Sequence, residues 1–355
     1  MANRSVKIAV DLDAIRHNYA VAKQLSKNGK LFAVVKANAY GHGAVTVAQA
    51  LPDADGFAVV TVGEAAELRA ASVSQPILIL QGAQTQAELT WIHQLGLWPV
   101  IHHYQQLQWL KECAFVDKSR PWLKIDSGMG RLGFTVQDAT RILAERSPVK
   151  WYGALTHFAS ADATANGTTS QQINAFRNVV NRFKLQTSMA NSAGTIAWPE
   201  SDANWNRPGI MLYGSNPVSS NHQDAHPLDL RPAMRVTAPI ISIKHYDRGA
   251  AIGYAAAYHC PENMTVAYVA IGYGDGLPRV LDDNASVWLN GCQCSIIGRV
   301  SMDSIAIDVR SVENIQLGDE AVIWGPEQSV ELLSASANTI SYELFTAIKG
   351  QRNYF

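Results

Sequence analysis

Short apolar runs alternate with helix-period segments between residues 31 and 213 of the chain. Runs of this length, bounded by turn residues, are typical of buried strands. Pro208 has no N–H to donate to a strand ladder, so we expect the last strand to end at Arg207 and a different element to start at 210–213. The predicted strands are 31–35, 57–60, 77–80, 98–101, 122–125, 152–156, 187–190 and one near 205–213.

The segments between these strands carry the periodicity of helices. In 170–184, Phe176, Val179, Val180 and Phe183 follow the i, i+3, i+4, i+7 spacing that makes one apolar stripe. Eight strands alternating with helices predict a TIM-like α/β barrel over residues 1–229. A doubly wound open sheet has the same alternation and is the alternative at this point. The other predicted helices are 13–26, 63–71, 86–95 and 135–145.

The pattern changes after residue 230. Short runs rich in Val, Ile and Tyr are separated by Gly, Asn and Asp turns, which predicts a mainly β C-terminal domain over 230–355, of sandwich or barrel type. A polar, linker-like loop, 216–227, precedes the boundary, and a helix is expected near 341–348. The predicted strands are 236–243, 264–271, 286–289, 294–297, 304–309 and 320–323.

Polar side chains follow several of the predicted barrel strands, at the point where each strand ends. In a barrel these ends converge on one mouth, where active sites lie. Five strands contributing such residues predict a functional site there, although any one of them read alone fits a satisfied polar group in the core. The residues are Lys36, Lys124 with Asp126, His157, Asn191 with Ser192, and Arg207.

Of these residues, Lys36 gives the most specific indication of a chemical function. It follows an apolar run that is expected to be buried, and burial disfavours the charged form of an amine. A neutral lysine amine forms a Schiff base with a carbonyl such as that of pyridoxal phosphate. The alternative is a lysine that only extends to solvent from a strand end.

Composition excludes several classes of function. At 355 residues the chain has room for one large domain or two, and its net charge of −1 predicts no nucleic-acid or membrane-surface partner. No apolar run approaches the ~18 residues of a membrane span, and residues 1–7 lack the apolar region of a secretory signal, so a cytoplasmic location is expected.

No metal site is expected either. The four cysteines are interpreted as reduced thiols, because Cys292 and Cys294 are too close in sequence for a usual metal-binding pair. There is no HExxH motif, and His222 and His226 stand four apart in the polar loop, where solvated surface is the simpler interpretation.

Eight segments, in order along nearly the whole chain, resemble the alanine racemase family. The resemblance implies pyridoxal 5'-phosphate as cofactor, a barrel followed by a β domain, and the interconversion of L- and D-alanine, which supplies D-alanine for peptidoglycan or consumes it. The segments are VVKANAYGHG (34–43), LKIDSGMGRLGF (123–134), THFASAD (156–162), ANSAG (190–194), NRPGIMLYG (206–214), GYAAAY (253–258), IGYGDGLPR (271–279) and GRVSMDS (298–304).

The resemblance also assigns the two bases. Lys36 is expected to hold the cofactor as a Schiff base and to act as one proton-transfer base. Tyr254 is expected to be the second, opposed base, contributed by the partner subunit of a homodimer with shared active sites. Residues matching Met302, a substrate contact, and Asp303 also come from the partner, and Tyr273 belongs to the gate of the site.

The remaining roles are implied by the same resemblance. His157 is expected beside the cofactor ring, and Arg207 is expected to face the ring nitrogen. Arg131 is expected to bind the substrate carboxylate and the cofactor edge. Lys124 matches a lysine that is often carbamylated in the family; a carbamate there would be an anion able to fix Arg131, and the alternative is an unmodified Lys124. The expected phosphate contacts are Tyr40, Ser192, Gly209, Ile210 and Tyr342.

Other interpretations share parts of this pattern. A racemase for serine or for a broader set of amino acids would use the same scaffold. A relative resembling D-threonine aldolase would share the lysine and the barrel but would need a divalent metal. A single-barrel protein that binds the cofactor without catalysis would lack the second domain, which argues against that class here.

Overall fold

The computed structural model describes residues 4–27, 29–116, 118–165, 167–218 and 228–355. The chain divides into two compact units. One is Arg16–Leu230, and the other is Arg231–Phe355 together with the N-terminal residues through Ile15. The predicted surface histidines His222 and His226 lie outside the described residues.

The first unit is a closed barrel of eight parallel strands. Each strand pairs with the next, and Trp205 of the last strand pairs with Lys30 of the first, which closes the ring. The TIM-like barrel is therefore confirmed, and the open sheet is excluded. The barrel strands are Lys30–Val34, Gly56–Val59, Ile77–Ile79, Trp98–Ile101, Trp122–Asp126, Gly153–Leu155, Gln186–Ser188 and Trp205–Asn206.

The last barrel strand is the shortest. It ends at Asn206, one residue before the expected end, and Ile210–Tyr213 forms a 3₁₀ turn instead of continuing it. The carbonyl of Pro208 accepts the N–H of Val34 at 3.0 Å, so this proline takes part in pairing only as an acceptor.

Helices cover the outside of the barrel. The predicted stripe on Thr168–Val180 is buried at Phe176, Val179 and Val180, which join the core between helices and strands. Four helical segments of this unit were not predicted: Lys36–Tyr40, Ala44–Ala50, Tyr104–Glu112 and Ser192–Ala197. The others are Leu12–Leu25, Val62–Ala70, Gln86–Gln94 and Val136–Ala144, with a short strand Phe134–Thr135 and a 3₁₀ turn Pro199–Ser201.

Aromatic rings fill the interior of the barrel at the N-terminal ends of its strands. Phe32 stacks on Trp205 at 4.0 Å between ring centroids, and meets Trp98 and Trp122 edge-on at 5.8 and 5.9 Å. Side chains alternate along a strand, so Lys124 lies one layer above Trp122 on the same face. The polar side chains at the strand ends therefore lie above a layer of packed aromatic rings.

The second unit is mainly β, as expected. Lys7–Val10 lies inside its larger sheet, antiparallel to Met234–Tyr246 and parallel to Gln351–Tyr354. Its strands are Lys7–Val10, Met234–Tyr246, Ala251–Ile252, Tyr258–His259, Met264–Val269, Ser286–Leu289, Cys292–Ile297, Ile305–Asp308, Glu320–Trp324 and Gln351–Tyr354, and its helical segments are Tyr254–Ala256, Tyr273–Asp275, Val330–Ser336 and Ser341–Ala347.

The division of the chain differs from the expected one at the N-terminus. Residues up to Ile15 group with the β unit and not with the barrel. Ile8 and Val10 are both fully buried, so this strand places one apolar face in the core of the β unit. Within the described ranges, no helix is long and apolar enough to cross a membrane.

Candidate active site

Lys36 is followed by a turn of left-handed helix. Ala37, Asn38, Ala39 and Tyr40 have φ angles of 51°, 53°, 52° and 52°. An L-residue loses roughly 1–2 kcal/mol in this conformation, and non-glycine residues adopt it as single positions far more often than in series. Four in a row form a strained segment, which persists only where its surroundings fix it.

Hydrogen bonds within the left-handed turn and to two neighbouring helices hold it in place. Within it, the N–H of Gly41 donates to the carbonyl of Ala37 at 3.0 Å. The side chain of Asn38 accepts the N–H of Ala44, the first residue of the next helix, at 2.9 Å. The N–H of Ala37 donates to the carboxylate of Glu64 at 2.8 Å. The backbone that carries Lys36 is thus anchored to two neighbouring helices.

The Lys36 amine is half-buried among cations. Burial lowers its pKa, and repulsion from Arg131 and Arg207 lowers it further, while Glu64 opposes the shift. A larger fraction of this amine is therefore neutral near physiological pH than for an ordinary surface lysine.

Lys124 is buried in the middle of the fifth barrel strand, Trp122–Asp126. Its pKa is lowered to about 8, by burial first and then by the positive charges of Arg207, Arg131 and Lys36. Asp126 acts in the opposite direction. The mouth of the barrel thus holds a concentration of positive charge that favours an anionic occupant.

Asp126 shapes the loop that leads to Arg131. Its Oδ1 accepts the N–H groups of Gly128, Met129 and Gly130 at 3.0, 2.8 and 3.1 Å, and its Oδ2 accepts that of Arg131 at 3.2 Å. Burial would raise the pKa of this carboxyl, but the four backbone donors outweigh it and lower the pKa. The loop presents Arg131 with its side chain exposed.

Arg207 is buried beneath the mouth, with 5% of its surface exposed. Its guanidinium donates to the carbonyls of Thr156 and Met189 at 2.5 and 3.2 Å and to the hydroxyl of Ser188. Burial lowers its pKa to about 10, so it remains a cation at neutral pH.

His157 lies next to this charge. Burial holds its pKa well below 6.5, and repulsion from Arg207 and Lys124 adds to the effect, so the imidazole is neutral. The side chain of Gln172 fixes the backbone on either side, because it donates to the carbonyl of His157 at 3.0 Å and accepts the N–H of Ala159 at 2.9 Å. His157, Lys124, Asp126 and Arg131 line one small cleft.

The ends of the seventh and eighth strands form a compact polar corner. The hydroxyl of Ser192 accepts the N–H groups of Gly209 and Met211 at 2.8 and 3.3 Å. A Cβ on Gly209 would lie 2.5 Å from the hydroxyl of Tyr40, so any side chain at this position would displace the Tyr40 ring. Ile210 is fully buried. Backbone N–H groups and two hydroxyls therefore meet where barrels often bind phosphate.

Tyr254 belongs to the β unit and is 67% exposed. It lies at the tip of a hairpin between Ala251–Ile252 and Tyr258–His259, where Gly253, Ala255 and Ala256 all have positive φ. The tip is held in an unusual backbone conformation while its tyrosine points into solvent.

Tyr273, Met302 and Asp303 are brought together in the same unit. The N–H of Tyr273 donates to the carbonyl of Ser301 at 3.0 Å, and that of Gly274 donates to the carbonyl of Met302 at 2.9 Å. Met302 is 53% exposed. Asp303 is ion-paired with Arg4, which also pairs with the buried Asp275. Tyr342 is half-buried on the helix Ser341–Ala347.

Two residues of the site were missed by the sequence analysis. Glu64 carried a signal, because Thr61 and Glu64 have the T-x-x-E spacing of a capping box directly after a predicted strand, and the box is present. Gln172 also carried a signal, because it stands on the same apolar stripe as Phe176 and Val179 and is buried there. Its partners, His157 and Ala159, lie 15 and 13 residues away, and the sequence does not reveal them.

Comparison with known proteins settles the family. Residues 10–217 match the family model "Alanine racemase, N-terminal domain", and residues 233–354 match "Alanine racemase, C-terminal domain". The chain belongs to the alanine racemase family. An alanine racemase from Coxiella burnetii (strain CbuG_Q212) is 40% identical over 346 residues, 96% of this chain and 95% of the relative.

Solved structures of alanine racemases share the whole architecture. The biosynthetic alanine racemase from Pseudomonas aeruginosa superposes with a TM-score of 0.93 at 38% identity, covering 99% of both chains. The alanine racemase from Bartonella henselae, described with covalently bound pyridoxal phosphate, superposes with a TM-score of 0.91 at 29% identity over 100% of both chains. The family expected from the eight sequence segments is confirmed.

Proposed function

We propose that the protein interconverts L- and D-alanine with pyridoxal 5'-phosphate as cofactor. The observation that carries this proposal is the Lys36 amine: it is half-buried, its pKa is lowered by burial, and it stands on a strained turn at the barrel mouth. Such an amine is suited both to bind an aldehyde and to move a proton. The product or substrate D-alanine would serve peptidoglycan synthesis or be consumed in the cytoplasm.

The residues around Lys36 fit an anionic aldehyde cofactor. The corner of Tyr40, Ser192, Gly209 and Ile210 offers hydroxyls and backbone N–H groups to a phosphate, with Tyr342 as a further contact. When bound, pyridoxal phosphate withdraws electrons from the α-carbon of the attached amino acid and so acidifies the α-proton.

Arg207 and His157 set the environment of the cofactor ring in this proposal. Arg207 would face the ring nitrogen. It is a buried cation whose three described acceptors are all neutral, and a guanidinium has no lone pair with which to accept a proton, so that nitrogen is left unprotonated. The neutral imidazole of His157 would lie beside the ring.

Racemisation requires a proton to leave one face and arrive on the other. Lys36 would serve one face and the phenol of Tyr254 the other, so neither base has to move between faces. Arg131 would hold the substrate carboxylate through its guanidinium fork. Lys124 would be carbamylated and would then attract Arg131. Its pKa of about 8 supports this, because only the neutral amine adds carbon dioxide, releasing one proton.

Tyr254 would come from the partner in a homodimer, together with Met302 and Asp303. The exposure of Tyr254 and Met302 supports this arrangement, since large apolar side chains left exposed on a single chain are available to be covered in an assembly. In the same proposal, the barrel unit binds the cofactor, the β unit supplies the second base, and Tyr273 narrows the gate to small amino acids.

The direct test is an assay of the purified protein with single L-amino acids, in which D-enantiomer formation is followed with and without added cofactor. D-alanine formation that depends on the cofactor is expected. Turnover of L-serine at the same rate would contradict the preference for alanine, and no turnover of either would contradict the activity.

Lys36→Ala tests the central residue. The change is expected to reduce racemisation by about 10⁴-fold or more and to remove the borohydride-reducible link between cofactor and protein. Mixing inactive Lys36→Ala and Tyr254→Phe chains then tests the shared site. If Tyr254 comes from the partner, random dimers recover about one quarter of wild-type activity. No recovery after subunit exchange would place both residues in one chain.

A further inference from the structure

The carboxylate of Glu64 joins the Lys36 turn to the neighbouring strand and helix. Its Oε1 accepts the N–H of Ala37 at 2.8 Å, and its Oε2 accepts those of Val60 and Thr61 at 2.7 and 3.2 Å. Val60 follows the second barrel strand, and Thr61 caps the helix that carries Glu64. The half-buried side chain of Glu64 therefore links the backbone that follows the first barrel strand to the backbone that follows the second.

The hydrogen bond from Ala37 to Glu64 is made at the start of the left-handed turn. Ala37 directly follows Lys36 and is the first of the four left-handed residues. The turn contains no glycine that would adopt this conformation without strain, so it depends on outside contacts. Asn38 provides one of these through Ala44, and Glu64 provides the one nearest to the lysine.

Glu64 also differs in charge from its surroundings. Glu64 is the anion among the charged groups that act on Lys36, whereas Arg131 and Arg207 are cations that repel its ammonium form. Lys124 and His157 also interact with Lys36, and His157 is neutral. A carboxylate at this place therefore attracts the ammonium form of Lys36 against the repulsion of Arg131, Arg207 and Lys124.

We propose that Glu64 is a positioning residue, which holds the left-handed turn and so fixes the place of the Lys36 amine at the barrel mouth. This inference rests on the proposed function of Lys36 and adds a residue that the motifs of the chain did not mark. Glu64 does not itself take part in the reaction. It acts through the backbone of Ala37 and through its charge.

Two variants separate these two effects. Glu64→Gln keeps the length of the side chain and removes its charge, so the acid limb of the kcat–pH profile is expected to move to lower pH. Glu64→Asp keeps the charge but shortens the reach to Ala37, so the limb is expected to stay near its place. Both variants weaken the bond to Ala37, and the amides of residues 36–43 are expected to exchange with deuterium about tenfold faster in the holoprotein.

Glu67→Gln is the matched control, because Glu67 is exposed on the same helix. It should change neither hydrogen exchange at 36–43 nor the pH profile. If Glu64→Gln and Glu64→Asp also left both unchanged, the positioning role would be overturned while the Lys36→Ala result still supported the proposed function. Retained activity and cofactor attachment in Lys36→Ala would instead overturn the proposed role of Lys36, on which this inference rests.

Discussion

The barrel mouth and the Tyr254 region of the β unit hold their candidate residues in opposite ways. At the mouth, Lys36, Lys124, His157 and Arg207 are wholly or partly buried, and each has a lowered pKa because burial disfavours its charge. In the β unit, Tyr254 and Met302 are mostly exposed. The first region is preorganised by its own chain, whereas the second presents groups that only a covering surface would desolvate.

This difference shows which part of the proposed site is formed within one chain and which part would need a second surface. Buried cations held by backbone carbonyls keep their geometry whatever occupies the site. An exposed tyrosine acquires the properties of a catalytic base only when neighbouring cations lower its pKa. The chain alone therefore builds one side of the proposed site, and assembly would build the other.

After Lys36→Ala, the largest expected effect comes from the exposed side. Tyr254→Phe removes one hydroxyl and should reduce racemisation by about 10²–10³-fold, since a positioned acid–base group contributes on that scale. The loss should be unequal when α-proton exchange with deuterium oxide is measured separately from L- and D-alanine, because only one face loses its base. Equal loss for both enantiomers would contradict opposed bases.

The next effect tests the buried side through stability. The pKa of Lys124 is about 8 in the folded chain, against an ordinary value of 10.5, so the unfolded chain binds more protons between these pH values. Stability should therefore rise with pH across this window, by about 3 kcal/mol from this group.

Lys124→Met should flatten that rise, as measured by urea unfolding in carbonate-free buffer at pH 7 to 10.5. Lys150→Met, which changes an exposed lysine of the same unit, is the control and should retain the slope. An undiminished rise in Lys124→Met would show that the amine of Lys124 is not desolvated.

The smallest effect compares a buried with an exposed arginine at the same mouth. Both repel a proton on His157, but Arg207 does so more strongly than Arg131. Arg207→Gln should therefore raise the pKa of His157 more than Arg131→Gln does, as followed by NMR titration of labelled histidine. A larger rise in Arg131→Gln would reverse the ranking of the two charges around the imidazole.

The barrel was predictable because its strands are buried on both faces and appear as continuous apolar runs, such as Leu31 to Val35. Because the C-terminal ends of barrel strands meet at one mouth, the polar residues that follow those runs predicted where a site would lie. The same reasoning missed the strand Lys7–Val10, because its partners lie more than 200 residues away and the local pattern is too short to reveal them.

The left-handed turn was beyond prediction for a different reason. Ala37, Asn38, Ala39 and Tyr40 have no shared preference for positive φ, so local propensity gives no sign of it. The conformation is imposed by contacts such as those of Glu64 and Asn38. The apolar run and the motif resemblance both predicted a role for Lys36, and the structure adds how its backbone is held.

The placement of Lys7–Val10 has a consequence for how the molecule is made. This strand is flanked by Met234–Tyr246 on one side and by Gln351–Tyr354 on the other. During synthesis, the barrel sequence 16–230 therefore leaves the ribosome before the strand Lys7–Val10 can pair with either neighbour. A fragment starting at residue 231 would lack the strand that joins the two flanking ones.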